Sequence, residues 1–108
     1  MVTRQDINPG DQCAQTVHSI SDFAYEFPQE HRFWKETSNT VVCLGIQSEF
    51  HLLTLFDKLS PLTQCVKFFE PDDDVGWTSL CFYSTLETKK LTSKLPLLLK
   101  TKTTKHRN

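Results

Sequence analysis

The chain has 108 residues, enough for one domain and short of two. Hydrophobic residues make up 38% and charged residues 23%, with a formal net charge of -1; this is ordinary globular composition and excludes a protein that wraps nucleic acid through bulk positive charge. No apolar run approaches the ~20 residues that cross a bilayer, and the start has no basic region leading into an apolar one, so no secretory signal and a cytoplasmic location are expected.

Met1 to about Gln5 reads as a very short strand, which points to a native start upstream of Met1. Asn8-Pro9-Gly10 is a turn, and a helix follows from about Gly10 to Phe27. Its apolar stripe is Cys13, Val17, Ile20, Ala24 and Phe27, at spacings of 4, 3, 4 and 3. Asp11, Gln15, His18 and Asp22 fall on the opposite side. Pro28 ends this helix and can start the next, which reads from Glu30 to about Thr37 with Phe33 and Trp34 turned inward. Thr40 to Leu44 is apolar or β-branched throughout, as in a strand covered on both faces. Ser48 caps a helix from about Glu49 to Leu59, stopped by Ser60-Pro61. Thr63 to Phe69 and Trp77 to Tyr83 are strands, joined by the acidic turn Glu70-Pro-Asp-Asp-Asp74. Ser84-Thr-Leu-Glu87 fits a capping box and opens a last helix to about Lys94. Pro96 to Leu99 is extended and packs back on the domain.

The order is β-α-α-β-α-β-β-α. It predicts an α/β three-layer sandwich, with helices on both faces of a mixed four-stranded sheet that is mostly parallel, its last strand antiparallel. Residues 1-99 form the single domain. Residues 100-108 form a basic tail (Lys100, Lys102, Lys105, Arg107), expected to be disordered and either solvated or touching phosphate. The four cysteines, Cys13, Cys43, Cys65 and Cys81, contain no CxxC pair. They read as reduced, buried small hydrophobes rather than disulfides or metal ligands.

No Walker loop, GxGxxG, HExxH or GxSxG occurs. Four features can carry chemistry, each with a plain structural reading beside it. The polar stripe of the first helix is a solvated face or one wall of a site, where His18 acts as acid, base or donor and Gly10 lets a ligand approach the backbone. The acidic run is a solvated loop, a source of a general base, or a cation site. Trp77 is core or stacks on a base or ribose; Thr78 is a strand former or donates to a substrate carbonyl. His31, Arg32 and Lys35 are a solvated face or meet phosphate.

Thr3-Arg-Gln-Asp6, the Pro-Gly turn, and Asp11-Gln-Cys-Ala-Gln-Thr-Val-His-Ser19 together resemble the archaeal and eukaryotic type of peptidyl-tRNA hydrolase. That family has a strand ending Arg-x-Asp and then a motif close to Gly-Lys-x-x-Ala-Gln-x-x-His-Ala. Gly10, Ala14, Gln15 and His18 match it in register. Thr40 to Leu44 with Ser48-Glu49-Phe50, the strand Trp77 to Tyr83, and Leu95-Pro-Leu-Leu-Leu-Lys100 are similar to later parts of the family, so the resemblance spans about residues 1-100. It implies hydrolysis of the ester between a peptide and the tRNA 3′ ribose, without cofactor or metal. The site it implies has His18, Glu70 and Thr78 as catalytic residues, with Glu70 standing for the family's loop aspartate. Gly10, Asp11, Gln15 and Trp77 would bind substrate. Two departures stand out: Asp11 replaces the family's lysine, and Glu70-Pro-Asp-Asp-Asp-Val-Gly76 replaces its Asp-Ala-Gly-x-Thr-Gln loop. The expectation is a divergent hydrolase acting on tRNA. The alternatives are an inactive relative that binds RNA or protein, and a structural homodimer.

Overall fold

Short strands and capped helices alternate along the computed structural model, which describes residues 1-100. The elements are β1 (Val2–Arg4), α1 (Pro9–Glu26), α2 (Pro28–Thr37), β2 (Leu44–Ile46), α3 (Glu49–Leu59), β3 (Cys65–Glu70), a 3-10 turn (Asp72–Asp74), β4 (Gly76–Phe82) and α4 (Leu86–Thr92). Their order is the expected one; the basic tail beyond Lys100 lies outside the described residues. The sheet runs β2-β1-β4-β3. β1 and β2 are parallel, and β4 is antiparallel to both β1 and β3. Three strands therefore share one direction and β4 opposes them, although only one pairing in the sheet is parallel. Leu97 bridges to Leu44, and Leu98 N–H donates to Cys43 O, so the extended 96-98 stretch covers the outer edge of β2.

Strand alternation sends Val2, Leu80 and Ile46 to one face of the sheet, where Leu52, Leu55 and Leu59 of α3 meet them in a buried apolar cluster. Ser48 Oγ accepts from His51 N–H and caps α3, as its sequence indicates. The other face receives α1 and is chemically different. Its buried residues are Gln12, Gln15, Thr16, Ser19 and Phe23.

This corrects the expected orientation of α1. Cys13 is exposed and Val17 is 65% exposed, while Gln15 is buried. The reason is the sheet beneath the first half of the helix, where Thr3, Thr78 and Ser79 put three buried hydroxyls among apolar neighbours such as Val66 and Phe68. A polar helix face is stable there because every buried polar side-chain atom among the described residues has a hydrogen-bond partner. Thr16 Oγ1 donates to Gln12 O (2.8 Å), so the 2.7 Å contact between Thr3 and Thr16 hydroxyls has Thr3 as donor. Ser79 Oγ donates to Gln15 O at 2.8 Å.

Other boundaries shift for local reasons. β2 covers Leu44–Ile46, not 40-44, because the ladder with β1 begins at Val2↔Leu44. Before it, Trp34 Nε1 donates to Thr40 O and Asn39 adopts φ 54°, which holds Val41 and Val42 off the sheet and exposed. Gly45 continues the strand because the Gln5 side chain occupies the space a Cβ would fill. Phe33 is exposed and no residue of α2 is buried, so the expected inward turn of that helix holds only for half-buried Trp34. The capping box of α4 pairs Thr85 with Thr88, one residue later than expected. Of the cysteines, all free, Cys13 is exposed and Cys43, Cys65 and Cys81 are half-buried; burial pushes the Cys65 and Cys81 thiols up to about 12 and about 11.

The two faces make opposite demands on substitution. Leu80→Ala is expected to cost about 2–5 kcal/mol in urea denaturation, as a cavity in the apolar cluster. Val17→Ser should change stability by less than about 0.5 kcal/mol; a large loss there would restore the inward apolar stripe.

Candidate functional site

β3 and β4 pair with one irregularity. Phe68 lies opposite Ser79 and Phe69 opposite Trp77, which leaves Thr78 as an extra residue in β4. Such a bulge interrupts side-chain alternation. Thr78 and Ser79 consequently both address α1: the Thr78 hydroxyl donates to Gln15 Oε1 at 3.0 Å, and the Ser79 hydroxyl to Gln15 O. Trp77 is turned to the opposite face, where it packs on the α3 cluster, meets Phe69 edge-on and lies beneath Lys67 Nζ.

Gln15 is the centre of the arrangement. A carboxylate accepts only donors, so the amide nitrogen of Gln15 faces Glu70 and donates to its Oε2 at 3.0 Å. The amide oxygen then faces Thr78, whose hydroxyl supplies the matching proton. Glu70 Oε1 accepts from the Asp72 N–H at 3.2 Å. The Gln15 bond, then the Asp72 bond, and also the charge of His18 hold the Glu70 carboxyl below its ordinary range. His18, one turn beyond Gln15, lies flat on Phe68, with ring centroids 4.6 Å apart and planes 12° from parallel. Its ring is exposed, and Glu70 is half-buried.

The start of α1 completes the rim. Asn8 is the N-cap: its Oδ1 accepts from Asp11 N–H at 2.9 Å, and its Nδ2 donates to Asp11 Oδ2 at 2.6 Å. Asp11 is exposed on the same flank as Gln15 and His18, and its carboxylate suits the positive end of the helix. A Cβ on Gly10 would meet only Asn8 Oδ1 at 3.5 Å, so the position does not require glycine. The acidic loop is braced from beneath. Arg4 holds Asp6 with two hydrogen bonds, of 2.8 and 3.0 Å, and donates from Nη1 to the carbonyls of Val75 and Trp77. Gly76 has φ 85°, and the Glu49 carboxylate, which accepts from Trp77 N–H, occupies the place of a Cβ there.

Of the residues singled out in the sequence, the fold joins Gln15, Glu70 and Thr78 by hydrogen bonds and sets His18 beside them. Gly10 and Asp11 lie at the helix start on the same rim. Trp77 is separated from them by the sheet. Thr78 is fully buried, and its hydroxyl is spent on Gln15. Phe68 and Ser79 belong to the site and carry no sequence signal, because only the bulge aims Ser79 with Thr78 and only the pairing sets Phe68 under His18. Among the described residues no three His, Cys, Asp or Glu side chains converge as metal ligands would. His31, Arg32 and Lys35 lie on α2, away from the rim. No protein-family model matches the chain, and no curated protein matches it.

The network sets two expectations. Gln15→Ala strands the buried Thr78 hydroxyl and should cost about 1–3 kcal/mol in chemical denaturation. Because Glu70 is held below its ordinary value, its bonds stabilise the fold above that value, and the gain is lost as pH falls through the lowered one. The stability gap between wild type and Glu70→Gln should therefore be wider at about pH 6 than at about pH 3, as read from urea midpoints.

Proposed function

We propose that the chain is a divergent peptidyl-tRNA hydrolase-like enzyme that cleaves the ester between a peptide and the tRNA 3′ ribose at the Gln15–His18–Glu70 rim. One observation carries this reading. Gln15, His18, Glu70 and Thr78 are up to 63 positions apart in sequence, were singled out by resemblance to a hydrolase motif, and meet in one cluster with Gln15 hydrogen-bonded to both Glu70 and Thr78. In the proposed reaction His18 removes a proton from water as the water oxygen attacks the ester carbonyl. The imidazolium then returns the proton to the departing ribose oxygen. The Glu70 carboxylate stabilises the imidazolium between these steps. Gln15 holds Glu70 in place, and Thr78 fixes which end of the Gln15 amide faces it. Where the resemblance would put a cation to meet the developing oxyanion, Asp11 stands, so the activity is expected to be low.

A second reading has its own support. Both Glu70 oxygens already accept hydrogen bonds, and Asp11, Asp72, Asp73 and Asp74 share the neighbourhood with a single imidazole. Such a rim disfavours a phosphate backbone and fits a relative that lost the reaction and binds a protein partner.

Release of the peptide moiety from an N-blocked aminoacyl-tRNA separates the two. The hydrolase reading expects turnover that falls about 10²–10⁴-fold in His18→Ala, falls in Glu70→Gln, and rises about tenfold or more in Asp11→Lys, with unchanged circular dichroism. Folded wild-type and Asp11→Lys proteins that both fail to exceed the uncatalysed rate would sink it in favour of the second.

A further inference from the structure

At the other end of β4 from the rim, the sheet opens into a half-open cavity of about 400 Å³. The later half of α1, α2, the irregular 38-42 stretch, the end of β4 and α4 surround it. Ile20, Phe23, Trp34 and Val42 are among its apolar walls. The shape is held by bonds that do not depend on the rim. Trp34 Nε1 donates to Thr40 O at 2.7 Å and ties the irregular stretch to α2. The ring of His31 is tilted against Trp34 at 5.5 Å.

The charge of the lining is one-sided. His31 and Lys89 contribute to it, and none of the lining residues is Asp or Glu. Neither side chain is committed elsewhere: among the described residues the one salt bridge is Arg4–Asp6, and neither the His31 ring nor the Lys89 ammonium makes a hydrogen bond. A cavity of this volume lies at the small end of the range for small-molecule sites. Apolar walls favour a hydrocarbon or aromatic body, and the uncommitted Lys89 ammonium, with the His31 ring as a second polar partner, favours one negative charge on it.

We infer that this cavity is a binding site for a small apolar carboxylate, an aliphatic or aromatic acid whose body lies against Phe23, Trp34 and Val42 and whose carboxylate meets Lys89 and His31. The site is independent of the hydrolytic reading, since it shares no residue with the rim. Trp34 is also a reporter within it. The chain has two tryptophans, and Trp77 lies across the sheet on the α3 cluster.

The test titrates the full chain with octanoate and, separately, with uncharged 1-octanol. Trp34 emission is followed in a Trp77→Phe background, and calorimetry on the wild type gives the same reading if that variant fails to fold. The expected result is a saturable change, with octanoate bound about tenfold more tightly than octanol. Lys89→Gln, an exposed substitution, should erase most of that preference and leave octanol binding unchanged. Absence of saturable binding, equal affinity for the two probes, or a preference that survives Lys89→Gln combined with His31→Gln would each overturn the proposal.

Discussion

The carboxamide of Gln15 holds together three parts of the chain that are far apart in sequence. Its nitrogen end grips Glu70 at the close of β3, its oxygen end takes the proton of Thr78 in the β4 bulge, and its backbone carbonyl accepts from Ser79. These bonds set the rotation of α1 on the sheet. With the helix turned this way, Gln12, Thr16 and Ser19 also point inward, and His18 comes to rest on Phe68. A helix turned by its apolar stripe would leave the Thr3, Thr78 and Ser79 hydroxyls without these partners, at about 1–3 kcal/mol each, together a large fraction of the stability of a small domain.

The sheet therefore separates two kinds of work. The α3 face buries aliphatic side chains without direction and supplies most of the driving force for folding. The α1 face contributes less burial and more specificity, since a satisfied polar network tolerates few alternative arrangements. The bulge at Thr78 serves this division: one inserted residue puts two adjacent hydroxyls under α1 and sends Trp77 to the apolar side. The cost appears on the outside of α1, where Cys13 and Val17 face solvent.

Chemistry is polarised along the sheet as well as across it. Around the start of β4 gather Asp11, Glu70 and Asp72 to Asp74, with Arg4 engaged by Asp6 and two carbonyls beneath the loop. Around the end of β4 lie His31 and Lys89 over apolar walls. The two ends differ in charge, and α1 contributes to both: its first half carries the rim and its second half the cavity wall.

By itself the sequence determined the elements and their order. α3 was legible to the residue because Ser48, a dense leucine pattern and Ser60-Pro61 are local signals. The start of α4, within one residue, and the antiparallel joining of β3 and β4 across a short acidic loop were equally local. Gln15, His18, Glu70 and Thr78 stood out in the sequence beside plainer readings as helix face, loop and strand, and the resemblance to a hydrolase motif grouped them. Only tertiary structure decided the facing of α1, because hydrophobic periodicity assumes a wholly apolar partner and the sheet presents three buried hydroxyls there. It alone decided the strand boundary at Leu44, which depends on where β1 lies, and the roles of Thr78 and Trp77, which depend on a bulge with no sequence marker. Local signals report what a segment can bury; what it does bury is set by the chemistry of the surface it meets.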